Sequence, residues 1–230
     1  MGCSTGGKRK KRLTRLLVAA AIVVAVAGGL TWFGYYHVFK AGFAEVVPGQ
    51  IYRSSQPSPG EVRTWADRYH VRTIVDLRGD TADAVKAELV EAKKLNLSVV
   101  VFAFSAGRLP SREELLRLID TLETADRPIV LHCQYGVDRT GAASAIAALV
   151  VGRAGLNEAL NQLAWFRTNK QATHISDLLG QYRNYCRTAN VNGDDPATFK
   201  TWARDVYDGK PQPGTQLVRR LPLWPGGNAD

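Results

Sequence analysis

Cysteine is scarce in this 230-residue chain: Cys3, Cys133 and Cys186 are the whole supply. Three thiols build no disulfide framework, and no CxxC pair or Cys/His cluster offers zinc a ligand set. Acids are missing at the front, where none precedes Glu45. Lys8, Arg9, Lys10, Lys11, Arg12 and Arg15 supply six of the nine net positive charges and leave three for everything else. The basic balance therefore belongs to the N-terminus. No concentrated basic face remains, which excludes a nucleic-acid partner. No internal repeat is present, so a solenoid is excluded. No Gly-x4-Gly-Lys-Ser/Thr run is present, so a P-loop nucleotide hydrolase is excluded as well. Hydrophobic content of 45% with 22% charged residues excludes a disordered or collagen-like chain.

What the front does contain is a basic cluster and then a charge-free run. Leu16 to Tyr36 holds 21 residues without a charge. As a helix it would be about 31 Å long, near the thickness of a bilayer's hydrocarbon core. Trp32, Tyr35 and Tyr36 fall at its far end, where amphipathic rings favour the interface. The expectation is a basic cytoplasmic N-terminus over 1–15 and a transmembrane signal anchor over 16–38. The positive-inside rule then places the chain after Lys40 on the opposite side of the membrane. Ala25-Val26-Ala27 fits a signal-peptidase site, but cleavage there would leave the apolar "GGLTWFGYYHVF" on the mature chain, so an uncleaved anchor is expected. Gly6 stands where the myristoylation pattern needs Ser or Thr. Lipidation is not expected.

Beyond the anchor, strand-like and helix-like patterns alternate. Residues 50–57, 72–78, 97–104 and 127–133 read as extended, the last three as buried strands rich in β-branched residues. Helices are expected from 59 to about 69, Asp83 to Leu95, from 112 with Leu115, Leu116, Ile119 and Leu122 on one face, 139–151, 156–167, 174–188 and 196–207. Ser58-Pro59-Gly60-Glu61 and Ser111-Arg112-Glu113-Glu114 match capping boxes, and Asp195-Pro196 opens the last helix. After Gly209 the chain turns rich in Pro and Gly and reads as a loosely held tail over 209–230. The alternation predicts an α/β domain with helices against a sheet.

One stretch, "HCQYGVDRTG" at 132–141, concentrates chemistry. A strand ends at His132, a short loop follows, and a helix begins. Inward-facing backbone N–H groups and a helix N-terminus make an anion cradle from Gln134, Tyr135, Gly136, Val137, Asp138 and Arg139. Gly136 permits a turn that a side chain would resist. The Arg139 guanidinium offers two parallel donors to phosphate oxygens. Cys133 sits at the edge of that cradle, where amide dipoles and Arg139 favour its thiolate. A thiolate aimed at phosphorus is a nucleophile for phosphoryl transfer through a phosphocysteine. Thr140 is expected to bond the sulfur, and His132 to orient the loop through its backbone. The cradle and Arg139 carry the neutralising charge, so no metal or other cofactor is required.

The stretch resembles the signature of the cysteine-based protein tyrosine phosphatases, His-Cys-x-x-Gly-x-x-Arg-Ser/Thr, matched at His132, Cys133, Gly136, Arg139 and Thr140. Gly141 continues the Arg-Thr-Gly form of dual-specificity members. "IYRSSQPS" and "VRTIVDLRGD" are similar to the opening of the compact, dual-specificity-like branch. The resemblance covers roughly residues 45–190. It implies a phosphatase domain over 45–208, a mixed central sheet flanked by helices, and hydrolysis of phosphate monoesters.

The family places its general acid, an aspartate, on the loop before the motif strand. The matching segment here, "SAGRLPS" at 105–111, has no Asp or Glu. Relatives with the form Gly-x-Asp-Arg-Thr use the loop aspartate, which implies Asp138 as the acid; its other reading is a favourable carboxylate at a helix start. Asp80 and Glu113 are the remaining candidates. Asp76 and Arg78 are expected to pair beside the site, and Arg53 either to bind substrate or, as the favoured reading, to tie the first strand down. The expected activity is a membrane-anchored phosphatase for phosphotyrosine, with phosphoserine and phosphothreonine as further substrates. A phosphoinositide or inositol phosphate phosphatase and a non-catalytic phosphate-binding module are the alternatives. Expected partners are a phosphoprotein or phospholipid substrate and the membrane itself.

Overall fold

The computed structural model describes residues 17–31, 42–79, 82–164 and 174–212. The chain divides into two units, Met1–Lys40 and Ala41–Asp230. In the first, residues 17–31 form helix α1 with exposed side chains. Among the described residues no helix is long and apolar enough to cross a membrane. The span expected over 16–38 is therefore not found, and Trp32, Tyr35 and Tyr36 lie outside the described residues.

The second unit is built on a five-stranded sheet in the order β1-β2-β5-β3-β4. The strands are β1 (Ala44–Val47), β2 (Ile51–Ser55), β3 (Thr73–Asp76), β4 (Ser98–Val101) and β5 (Ile129–Cys133). β2, β5, β3 and β4 run parallel, and β1 is antiparallel on β2. The sheet is mixed, as expected. Its helices are α2 (Pro59–Tyr69), α3 (Asp83–Lys94), α4 (Arg112–Thr124), α5 (Asp138–Val150), α6 (Leu156–Ala164), α7 (His174–Ala189) and α8 (Pro196–Thr201), the last followed by a π-helical turn (Trp202–Val206). Both capping boxes form: Ser58 with Glu61 and Ser111 with Glu114 each bond reciprocally, and Asp195 caps α8. Each cap satisfies N–H groups that a helix start leaves open.

Strand alternation divides the interior into two clusters. Ile51 on β2, Val75 on β3, and Ile129, Leu131 and Cys133 on β5 face the cluster packed by α4, α5, α6, α7 and α8. Ile74 and Val130 face the opposite cluster with Val62 and Trp65 of α2 and Ala92 of α3. Successive strand residues point to opposite faces. Arg53 therefore shares the α5 side with Cys133, while Asp76 and His132 share the α3 side. α5 is buried from Thr140 through Val150, and its run of alanines lets it sit between the sheet and other helices. The parallel strands end together, Ser55 opposite Cys133 and Asp76 opposite His132. Open α/β sheets hold their ligands outside these carboxyl ends.

Candidate active site

Cys133 closes β5 and is 3% exposed. The next four residues, Gln134 to Val137, turn the chain into α5, whose first residue is Asp138. Gly136 takes φ +69°, the left-handed region that glycine enters without strain. Val137 is the helix cap and gives no side-chain bond to the first turn. The N–H groups at this helix start are thus left for a ligand, the arrangement that attracts an anion.

Arg139 is half-buried, and its Nη1 donates to the carbonyl of Phe104 at 3.2 Å. Phe104 immediately precedes the segment 105–111 that the sequence marks as the acid loop. That segment is tied down at several points. Arg108 bonds both carboxylate oxygens of Glu114 at 2.8 Å, and the Tyr207 hydroxyl donates to the Pro110 carbonyl at 2.6 Å. Arg112 in turn donates to the Tyr207 carbonyl at 2.6 Å.

The acid candidates separate. Asp138 lies within the first turn of α5 and is partly exposed, one residue past the cap position. The helix-cap position is filled by Val137, and Asp138 adds a charge near the dipole's positive end. Glu113 is exposed in the first turn of α4. A backbone N–H and the Ser111 hydroxyl hold its carboxyl below the usual range, which leaves it ionised at neutral pH and a poor proton donor. Asp80 lies outside the described residues.

His132 differs from the expectation. Its ring leaves the loop and bonds Glu88 Oε1 through Nε2 at 2.9 Å, with both side chains fully buried. The reason is the period of two: with Cys133 on the α5 side, His132 must face α3. Glu88 also accepts from Gln56 Nε2 at 2.6 Å, and the Gln56 backbone N–H donates to Gln134 O at 3.3 Å. His132 thereby supports the loop at one remove. Asp76 and Arg78 pair through the main chain, with the Arg78 N–H donating to Asp76 Oδ1 at 2.7 Å, while the guanidinium turns to Gln56 Oε1 at 3.2 Å. Burial lifts the Asp76 carboxyl above its usual range, a rise that His132 partly opposes. Thr140 is fully buried, and its Oγ1 makes no hydrogen bond among the described residues. The expected bond from Thr140 to the sulfur is absent.

Gly141 marks a close approach. A Cβ there would lie 3.2 Å from the Gln162 carbonyl of α6. That carbonyl and the Gln162 side chain both accept from Arg53, whose other nitrogen reaches Gly136 O. The sequence offers Arg53 as a substrate contact or a strand tie, with the tie favoured. The signal that pointed further was its position, two residues before the strand end, on the same face as Cys133.

Comparison with known proteins follows from this geometry. A family model described as "DSP-PTPase phosphatase fused to NAD+ Kinase" matches residues 45–178. The core catalytic domain of the PP-IP phosphatase SIW14 from S. cerevisiae, solved with citrate, aligns with a TM-score of 0.51 at 21% identity, covering 64% of this chain and 92% of that one. TpbA from P. aeruginosa aligns with a TM-score of 0.45 at 24% identity, covering 66% and 87%. No curated protein matches.

Proposed function

The chain belongs to the DSP-PTPase family of that model, a phosphatase branch of the cysteine-based protein tyrosine phosphatase superfamily, and from that premise we propose that it hydrolyses phosphotyrosine monoesters through a phosphocysteine. Phosphoserine and phosphothreonine are the secondary substrates. Cys133 Sγ attacks phosphorus as the ester oxygen departs. Asp138 gives that oxygen a proton. Water then attacks the phosphocysteine, Asp138 takes the proton back, and thiolate and inorganic phosphate separate. Arg139 binds two of the phosphate oxygens throughout and stabilises charge as the bond to the leaving group lengthens.

The observation that carries this reading is the placement of Cys133. It ends the central strand directly below an uncapped helix start, with Gly136 left-handed between them. A thiol buried there has backbone donors ahead of it and helices behind it. Thr140, buried without a described partner, is available to the sulfur as a donor when thiolate leaves.

The substrate class follows from the loop's own side chains. Gln134, Tyr135 and Val137 are uncharged and Asp138 is acidic. Multiply phosphorylated substrates favour extra cations around the cradle, and this loop adds none beyond Arg139. An inositol phosphate is the second reading, since the yeast structure that shares the fold is of a PP-IP phosphatase. Anchoring at a membrane rests on the basic cluster at 8–15 and the charge-free run after it, which would put the catalytic unit on the side opposite the N-terminus.

Phosphate release by the full chain, measured in parallel on a phosphotyrosine peptide, a phosphoserine peptide, phosphoinositides and inositol phosphates, tests the proposal. The phosphotyrosine peptide should give the highest kcat/KM. A lead of tenfold or more for an inositol phosphate would replace it with the second reading.

A further inference from the structure

Arg53 carries a charge that the roles above leave unexplained. It lies on β2, is 2% exposed, and faces the side of the sheet that holds Cys133. Nη1 donates to the Gln162 carbonyl at 2.9 Å and to Gln162 Oε1 at 3.0 Å, and Nη2 donates to the Gly136 carbonyl at 2.8 Å. A buried guanidinium usually rests against a carboxylate. Here its hydrogen-bond acceptors among the described residues are three neutral oxygens. They solvate the group without cancelling its charge. Burial pushes the Arg53 pKa down to about 10, and the charge of Cys133 opposes that fall. Arg53 stays protonated at neutral pH, and the thiol is the ionisable group it answers to.

A strand tie would look different. β2 and β5 are already joined residue for residue by a parallel ladder from Ile51 to Ser55. Arg53 reaches past that ladder to the loop on one side and to α6 on the other.

We propose that Arg53 is a positioning residue for the phosphoryl transfer, clamping Gly136 against α6 and placing a buried positive charge on the sheet face that holds the Cys133 thiolate. This deepens the reading of Cys133 as nucleophile and rests on it. The two functions are separable in Arg53 because one is geometric and the other electrostatic. Lysine keeps the charge but has no fork with which to hold Gly136 and Gln162 together. Methionine keeps the approximate length and loses both. Among the described residues the other charged or titratable groups around the thiol's end of the sheet are Asp76 on β3, Arg78 just after it, Glu88 on α3, His132 on β5, Tyr135 in the turn, and Asp138 and Arg139 on α5. All stay in place in these variants.

The test uses the full chain and reads alkylation of Cys133 by iodoacetamide, resolved by peptide mass spectrometry from Cys3 and Cys186, across pH. In Arg53→Met the midpoint of the alkylation profile should move up by about one pH unit, and kcat/KM for para-nitrophenyl phosphate should fall at least tenfold. In Arg53→Lys the midpoint should stay within about a third of a unit while kcat/KM still falls at least tenfold. If the methionine variant does not fold, the lysine variant decides alone: turnover within threefold of wild type overturns the clamp. A methionine variant that folds with an unmoved midpoint overturns the charge role. Alkylation reads the Arg53–Cys133 pair whether or not the protein turns over phosphate, so these failures are distinct from failure of the proposed activity.

Discussion

Asp138 is the first residue of α5, and its neighbour Val137 already holds the cap position. That arrangement separates its two readings. As general acid, Asp138 matters in proportion to the help the leaving oxygen needs. Asp138→Asn should then cut kcat/KM for phosphoserine by about 10²–10⁴ and for phosphotyrosine by less. It should cut para-nitrophenyl phosphate by under about tenfold. Steady-state kinetics on the three substrates check the order, and an equal loss on all three would return Asp138 to a charge at the helix start. Asp76 offers a second residue-level test, through stability. Burial raises its carboxyl in the folded state, so the fold resists its ionisation. Its contribution is least adverse below the unfolded value, near 4, and stability is lost as pH rises from there to the raised folded value. Asparagine cannot ionise and still accepts from the Arg78 N–H. The melting temperature of Asp76→Asn relative to wild type should therefore rise between pH 4 and pH 7. A flat or falling difference would contradict the assignment.

The elements show how far pattern reading reaches. Helices α2 and α4 were legible because a capping box is a local code, and both boxes form. β3 and β5 were legible from runs of β-branched and leucine residues. β1 was not expected. Its four residues, AEVV, sit at the sheet edge with one bulge, and only pairing with β2 makes them a strand. The turn from β5 into α5 was legible from the strand-like run that ends at Cys133 and from Gly136, which takes a positive φ. Its supports were not, because they depend on which face each strand residue takes. His132 turns to Glu88 on α3, and Arg53 turns to Gln162 on α6. Neither partner is near in sequence. The segment 105–111 likewise takes its anchor from the far end of the chain, where the buried Tyr207 hydroxyl donates to Pro110 O. Tyr207→Phe removes that donor and leaves a buried carbonyl unpaired. It should cost about 1–3 kcal/mol in urea denaturation of the full chain, and a loss below about 0.5 kcal/mol would show that the tether contributes little.

At the scale of the whole molecule, the two units raise different questions. Charge placement at the N-terminus points to a membrane, yet among the described residues no helix is long and apolar enough to cross one. If the front end anchors the protein, a reporter fused after Asp230 should be labelled from outside intact cells and should remain in the membrane fraction after a carbonate wash. Labelling only after lysis would reverse the orientation, and release by the wash would remove the anchor. In the second unit, parallel strands bring their carboxyl ends together, and α5 begins where the central strand stops. The fold thus puts Cys133 at the end of the central strand, immediately before the turn that leads into α5. The most direct test of that account compares wild type with Cys133→Ser during turnover of a phosphotyrosine peptide by the full chain, with acid quench and mass spectrometry of the peptide containing residue 133. Wild type should carry a phosphate adduct on Cys133, and the serine variant should lose turnover by at least about 10³ with an unchanged melting temperature. Turnover by Cys133→Ser within tenfold of wild type would contradict the cysteine mechanism.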